Sequence, residues 1–145
     1  MRSSSAATLG TLGLTAVAST YAEAHDHPSE AASVTPAPTD GITRTELQRH
    51  PSPAAGWELV QTLVQIPRGM ESGRHSHPGV EVGYIIQGDV MMEFDDRPPQ
   101  RLRAGDPFFI PLGAIHNARN IGKAETKMLS TYLIEEGEPL VMPYQ

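Results

Sequence analysis

The 145-residue sequence predicts an all-β sandwich or barrel, and three features of its pattern carry this prediction. Turn residues are abundant, since 13 Gly and 13 Pro are a larger share of the chain than in an average protein. The apolar runs are short, alternate with polar residues and are separated by turns at regular spacing. No stretch after residue 40 supports a helix of three turns. The sequence therefore favours many short strands around one core.

Each predicted strand is an apolar run bounded by turn residues. In chain order the strands are residues 42–49, 57–66, 81–87, 90–95, 101–103, 108–111, 116–120 and 125–135. In the second strand Trp57, Leu59 and Leu63 are assigned to one half-buried face. The third and fourth strands form a hairpin around the tight turn Gly88-Asp89.

The period of two residues in a strand also predicts which side chains face the interior. Counting from an inward Glu81, Ile85 and Gln87 point inward and Tyr84 points outward. The wider set of candidates for the barrel interior or its mouth is Tyr84, Ile85, Met92, Phe94, Phe108, Phe109, Leu129 and Tyr132.

The first 24 residues have the features of a secretory signal peptide. They carry one positive charge at Arg2 and a mildly apolar stretch over residues 6–18 that is too short to span a bilayer. Residues 22–24 are Ala-Glu-Ala, a small-residue cleavage pattern, so cleavage is expected after Ala24. The mature protein is then expected to be periplasmic or secreted, without insertion into a membrane. The alternative is a low-complexity start that is never cleaved.

Residues 25–40 are rich in Pro, Ala, Ser and Thr and show no apolar period, which predicts a flexible linker. The folded domain is expected over residues 41–145. If cleavage follows Ala24, the new N-terminus His25-Asp26-His27 offers an amine and an imidazole to Cu(II) or Ni(II). The alternative is a polar arm whose two histidines are incidental.

Composition excludes several classes of function. The net charge is −6 and acidic and basic residues are interspersed, whereas nucleic-acid-binding surfaces are normally basic, so no nucleic-acid partner is expected. The chain has no cysteine, which excludes thiol catalysis, thiolate metal sites and disulfides.

The residues between Gly69 and Gly88 carry the candidate site. His75 and His77 are two positions apart, so on an extended strand both imidazoles point to the same face. Pro78-Gly79 turns the chain, which lets the carboxylate of Glu81 return to the same point. Two imidazoles and one carboxylate suit a first-row divalent metal.

His116 is the fourth candidate ligand, because the remaining histidines (His25, His27 and His50) lie in the arm or beside a proline. Taken singly, each candidate has an ordinary interpretation as a solvated loop histidine, an exposed carboxylate or a turn residue. Taken together, they predict a site for Fe, Mn, Ni, Cu or Zn, and the identity of the metal stays open.

Two spaced motifs resemble those of the cupin superfamily. The pattern G-x5-H-x-H-x3-E-x6-G matches residues 69–88, and G-x5-P-x-G-x2-H-x3-N matches residues 105–120, with a short spacer between them. The second motif is filled by Gly105, Pro111, Gly113, His116 and Asn120. We expect the glycines to be structural and Asn120 to bond across a turn.

The resemblance implies a double-stranded β-helix, or jelly-roll-like cupin barrel, with a divalent metal inside. It implies four metal ligands, which are His75, His77, Glu81 and His116. It also suggests a homodimer, because single-domain cupins often pair through sheet edges.

The predicted function is that of a metal-dependent enzyme acting on a small molecule. Its expected form is an O2-using dioxygenase resembling quercetinase, with Glu81 as a candidate catalytic group besides its role as ligand. Arg74 or Arg119 could anchor a substrate carboxylate, although exposed, solvated guanidinium groups are favoured for both. The alternative function is a non-catalytic periplasmic cupin that binds a small ligand or the metal itself. A purely structural metal is least favoured, because structural sites usually close their ligand shell.

Overall fold

Ten strands make up the fold in the computed structural model, which describes residues 41–145. Their bounds are β1 (Thr43–Pro51), β2 (Trp57–Ile66), β3 (His75–Ser76), β4 (Gly79–Gln87), β5 (Asp89–Phe94), β6 (Gln100–Arg103), β7 (Pro107–Ile110), β8 (His116–Asn120), β9 (Thr126–Glu135) and β10 (Met142–Pro143). The predicted signal peptide, the linker and the His25-Asp26-His27 site lie outside the described residues. Among residues 41–145 no helix is long and apolar enough to cross a membrane.

The strands form two five-stranded antiparallel sheets. The first sheet has the order β1-β2-β9-β4-β7, and the second has the order β10-β3-β8-β5-β6. Side chains from the inner faces of both sheets form a shared core, whose buried members include Val64, Ile85, Val90, Met92 and Ile110. The all-β fold class predicted from the sequence is confirmed.

Eight of the ten strands occur where the sequence predicts them, within a residue or two at each end. The two that sequence analysis missed are β3 and β10, which have two residues each and pair with one another. A two-residue strand contains too few positions to show a period, so its pairing depends on tertiary contacts.

The strand β2 has the predicted bounds, but the face predicted to be half-buried is the outward one. Trp57, Leu59 and Leu63, which were assigned to the half-buried face, point outward. The core face consists instead of Glu58, Val60, Thr62, Val64 and Ile66. Both phases of this strand contain apolar residues, so alternation alone could not select the buried one.

Interior side chains follow the period of two on the neighbouring strands. Ile85, Met92, Phe108 and Tyr132 are buried as expected, and Tyr84 points outward. Phe109 and Leu129 were also candidates for the interior, but Phe109 is 53% exposed and Leu129 lies on the outward face of β9. Adjacent residues of a strand face opposite sides.

Gln87 does not point into the barrel. The register of β4 against β9 shifts between Ile85 and Gln87. An irregularity of this kind reverses the alternation, so Gln87 is exposed and its side-chain amide donates a hydrogen bond to the carbonyl oxygen of Glu125. The prediction of an inward Gln87 is therefore wrong.

Candidate metal centre

Three strands bring the sequence-predicted site residues together inside the barrel. His75 begins β3 and lies opposite His116, the first residue of β8. His77 follows β3 directly, and Glu81 lies on the inner face of β4. All four side chains are buried, with exposed fractions between 1% and 5%.

The four side chains converge on one point. The nitrogen atoms that His75, His77 and His116 offer lie within 4.8 Å of one another. The Oε2 atom of Glu81 lies 3.0 Å from Nε2 of His77 and 3.9 Å from Nε2 of His116. The spacing matches that of side chains arranged around a single small cation.

Backbone carbonyl groups orient all three imidazoles in the same way. Each Nδ1 lies at hydrogen-bond distance from a carbonyl oxygen: His75 from Gly73 (2.8 Å), His77 from Leu140 (2.6 Å) and His116 from Ala114 (3.0 Å). A carbonyl oxygen can only accept, so in each case Nδ1 carries the proton and donates. In the neutral rings Nε2 is therefore left with a free lone pair, and a lone pair is what a metal ligand must offer.

The donor set fits a divalent cation, and one buried atom supports this fit. Nε2 of His77 is buried and has no hydrogen-bond partner, although Glu81 is close by. An unpaired buried nitrogen is costly, and the cost disappears if a cation takes its lone pair. Three imidazoles and one carboxylate suit Fe, Mn, Ni, Cu or Zn.

Burial keeps the site in the protonation state that metal binding needs. Desolvation lowers the pKa of His75 to about 3, assisted by the nearby His116. Desolvation also lowers the pKa of His116. Burial alone would raise the pKa of Glu81, but His77 and the Ser130 hydroxyl beside it lower the pKa instead. Neutral His75 and His116 and an ionised Glu81 are thus favoured near neutral pH.

A small group of buried hydroxyls lies beside Glu81. Thr62 on β2 and Ser130 on β9 pair across the sheet, and both side-chain oxygens are buried. Tyr132 pairs with Glu81 across β9 and β4, and its ring lies 4.8 Å from the His77 ring. Desolvation raises the pKa of Tyr132, so its hydroxyl stays protonated and can donate a hydrogen bond.

A narrow cleft of about 10 Å³ adjoins the site, enough space for about one water-sized molecule. Its polar wall consists of Arg44, Ser72, His75, Glu81, His116 and Tyr132. The sequence analysis did not single out Arg44. The available signal was the period of two on β1, which places Arg44 on the same face as the buried Ile42.

Neither of the two arginines considered as substrate anchors lines this cleft. Arg74 forms an ion pair with Asp95, and Arg119 forms one with Glu93. Both guanidinium groups are partly exposed and lie among charges at the surface. Their outer position agrees with the favoured interpretation as solvated side chains.

The structural role predicted for Asn120 is confirmed. Its amide group donates to the carbonyl oxygens of Ile66 and Ala124, both at 2.9 Å. Its side-chain oxygen accepts a hydrogen bond from the amide of Gly122 at 2.9 Å. Asn120 therefore ties the end of β8 to the end of β2 and to the turn before β9.

The fold is a barrel of two antiparallel sheets, and three histidines converge inside it. These two features place the protein among β-barrels with an internal site of the metal-binding type. The family model described as "Cupin domain" matches residues 62–132, which contain all four site residues. The chain belongs to the cupin superfamily, as its two motifs indicated.

Two curated relatives illustrate the range of this similarity. Dimethylsulfoniopropionate lyase DddQ of Ruegeria pomeroyi is 32% identical over 97 residues, covering 59% of this chain and 47% of that protein. Germin-like protein subfamily T member 3 of Arabidopsis thaliana is 38% identical over 72 residues, covering 46% of this chain and 32% of that protein. The chain thus spans less than half the length of either relative.

Solved structures agree with the fold. The crystal structure of DddQ from Ruegeria pomeroyi matches with a TM-score of 0.53 and 27% identity, covering 59% of this chain and 42% of that chain. An uncharacterised Klebsiella pneumoniae protein with a double-stranded β-helix domain matches with a TM-score of 0.59 and 19% identity, covering 76% and 91%. At that identity the similarity shows the fold alone, and the fold is the double-stranded β-helix that the motifs predicted.

Proposed function

We propose that this chain is a metal-dependent enzyme acting on a small molecule. One observation carries the proposal: the Nε2 lone pairs of His75, His77 and His116 converge with the carboxylate of Glu81 beside a cleft that has room for a further ligand. In the proposal these four residues hold a divalent cation. When bound, such a cation supplies Lewis-acid chemistry, or redox chemistry if it is Fe, Mn, Ni or Cu.

The protein's own groups would orient the substrate and control its protons. Tyr132 would donate a hydrogen bond to a substrate oxygen, because its hydroxyl stays protonated and lines the cleft. Arg44 adds positive charge to the same wall, which favours an anionic substrate. Glu81 would act as a proton acceptor only while it is not coordinated, because coordination holds its pKa low.

The substrate class that fits these features best is a small carboxylic acid. The Arg44 guanidinium on the cleft wall suits a carboxylate group. The name of the relative DddQ is consistent with this class, since it specifies lyase activity on a propionate.

Two reaction types remain within the proposal. The first is O2-dependent cleavage by a dioxygenase, as the resemblance to quercetinase suggested. The second is a redox-neutral elimination, which the similarity to DddQ supports. A binding protein without catalysis is the alternative function, and its location, like that of the enzyme, is proposed to be periplasmic or secreted.

Metal content tests whether the four residues bind a cation, on which the rest of the proposal depends. The full chain, purified without an affinity tag, should hold about one equivalent of a first-row metal by elemental analysis. His77→Ala should lose most of it, whereas His50→Ala, which removes an exposed histidine, should keep it.

Turnover is then tested with the loaded protein and a panel of small hydroxy and keto acids. Oxygen uptake would indicate a dioxygenase, and product formation without oxygen uptake would indicate a lyase. Metal binding with saturable ligand binding and no turnover would support the binding protein instead. Retention of full metal content by His77→Ala would refute the site.

A further inference from the structure

A cavity separate from the metal centre opens where β1 ends and β2 begins. It has a volume of about 260 Å³, and we refer to it as the end pocket. Its lining residues are Arg49, His50, Pro51, Trp57, Glu58 and Glu136. None of them lines the cleft beside the metal centre, so the end pocket is a different site.

Backbone hydrogen bonds fix the walls of the end pocket. In the turn between β1 and β2, the amide of Ser52 donates to the carbonyl oxygen of Trp57 at 2.9 Å, and the amide of Trp57 donates to Ala54 at 3.2 Å. The amide of Glu136 donates to the carbonyl oxygen of Gly56 at 2.9 Å, which ties the end of β9 to the same turn. Because the walls are already ordered, a ligand loses little affinity in ordering them.

The guanidinium group of Arg49 is occupied by two carboxylates. It donates to both side-chain oxygens of Glu46, at 3.1 and 2.8 Å, and it also forms an ion pair with Glu58. Two carboxylates and one guanidinium leave this group of three side chains with a net negative charge. Arg49 is therefore not free to attract an anionic ligand into the end pocket.

The other charges at this end of the barrel are also negative. Glu135 ends β9, and Glu136 and Glu138 follow it. Residues 50–66 and 135–145 contain no Lys or Arg, so the segments that form the walls supply no cation besides Arg49. The carboxylate of Glu136 lines the end pocket, and this residue is exposed. A cavity with this excess of carboxylates favours a cationic ligand.

Trp57 gives the end pocket an aromatic wall. It is the single tryptophan of the chain, and it is half-buried. The face of an indole ring carries partial negative charge and attracts cations more strongly than the rings of Phe and Tyr do. An indole beside carboxylates suits an ammonium group that bears carbon substituents, because the carbons contact the ring while the charge is attracted to both.

We propose that the end pocket binds a small organic ammonium cation, which contacts the indole ring of Trp57 and the carboxylate of Glu136. The volume of the pocket lies below the range of about 300–1,000 Å³ that is typical of sites for drug-sized ligands, so the occupant is small. This binding site is additional to the metal-dependent function proposed above and does not depend on it.

The single tryptophan makes the proposal measurable, because all indole fluorescence of the chain comes from the wall of the end pocket. Choline chloride is titrated into the full chain, and sodium chloride is titrated into a second sample at the same ionic strength. The emission should change saturably with choline, with a Kd of about 1 mM for a small site that is open to solvent. The neutral analogue 3,3-dimethylbutan-1-ol has the shape of choline without its charge and should bind about 10-fold more weakly.

Substitutions separate the contribution of the carboxylate from that of the ring. Glu136→Gln should raise the Kd for choline by about 3-fold, the effect of one partly solvated charge. Glu125→Gln is the matched control, because it removes the same charge just before the opposite end of β9 and should leave the Kd unchanged. Trp57→Leu should raise the Kd by about 10-fold and Trp57→Phe by less, measured by the NMR shift of the choline methyl signal. Circular dichroism verifies that each variant is folded.

The outcome does not depend on the metal centre, since treatment with a chelator should leave choline binding unchanged. Equal binding of choline and the neutral analogue would overturn the proposal of a cation site. Absence of a saturable change up to about 50 mM choline, beyond that caused by sodium chloride, would overturn the proposal of any such site. Unchanged affinity in both Trp57→Leu and Glu136→Gln would overturn it as well, because choline would then bind elsewhere.

Discussion

Nε2 of His77 lies 3.0 Å from Oε2 of Glu81, yet the two atoms do not form a hydrogen bond. The proton of the His77 ring is at Nδ1, where it is donated to the carbonyl oxygen of Leu140. With Nδ1 already donating, Nε2 can interact favourably with Oε2 in two ways: the ring takes up a second proton, or both atoms bind a cation that lies between them. This geometry is the basis for treating Glu81 as a ligand together with the three histidines.

Removing the charge of Glu81 should weaken metal binding while the fold persists. Glu81→Gln keeps the side-chain volume but replaces the anionic oxygen, so affinity for Mn(II) or Co(II) should fall by about 100-fold or more. Isothermal titration calorimetry measures this. Glu58→Gln is the matched control, because Glu58 is also a buried carboxylate but pairs with Arg49. Equal affinity of Glu81→Gln and the unsubstituted chain would exclude Glu81 as a ligand.

The C-terminal segment orients His77, although it lies far from the site in sequence. The carbonyl of Leu140 accepts the Nδ1 hydrogen bond, and the Leu140 side chain packs on Tyr132 and Val60. Deleting residues 139–145 should lower metal affinity by about 10- to 100-fold, the usual cost of losing a group that orients a ligand. Deleting only residues 144–145 retains Leu140 and β10 and should have a much smaller effect. Equal affinities for the two truncations would contradict this role.

The parts of the site that lie within the two motifs were predictable from the sequence. Strand alternation selected His75 and His77, and the following turn allowed Glu81 to join them. His116 was selected by elimination among the histidines, and the resemblance to cupins implied the same four residues. Leu140 was not predictable, since it contributes a backbone carbonyl that any residue type possesses. Such a contribution leaves no trace in the identity of the residue.

The strand phases show where sequence patterns stop being informative. On β9 the buried and outward faces both carry large apolar groups, such as Met128 and Leu129. On β2 the outward face carries Leu59 and Leu63 and the inward face carries Val60 and Val64, so both faces are apolar in the sequence. Because both faces of these two strands carry large apolar side chains, alternation along the sequence does not distinguish the buried face from the outward one.

The metal-free protein should lose stability as the pH falls. The pKa of His75 lies near 3 in the fold but near 6.5 in an unfolded chain, so the unfolded state binds more protons between these values. The low pKa of Glu81 acts in the same direction at the acid end of this range. The free energy of unfolding should therefore be highest above pH 6.5 and decline progressively towards pH 3.

Thermal melts of the chelator-treated chain between pH 7.5 and 4 test this expectation. His75→Gln should flatten the dependence, because the replacement does not titrate. His50→Gln should leave the dependence unchanged, because His50 is exposed. A melting temperature that does not vary with pH would show that the site histidines are not held neutral by burial.

Gly83 illustrates how the barrel interior makes room for one aromatic ring. A Cβ atom at this position would lie 2.0 Å from Cζ of Phe108, which packs directly over the glycine. Gly83→Ala should destabilise the fold by about 1–3 kcal/mol through overpacking, measured by urea denaturation.

A second substitution tests whether the clash with the Phe108 ring, and not a change in backbone flexibility, causes the destabilisation by Gly83→Ala. Phe108→Leu shortens the ring that causes the clash, so the two changes should couple favourably by about 1 kcal/mol in a double-mutant cycle. Gly79→Ala is the contrasting case, because its Cβ would lie 1.9 Å from the backbone oxygen of Leu133 and no side-chain change can relieve that contact. Additive effects of Gly83→Ala and Phe108→Leu would show that the ring is not what requires glycine at position 83.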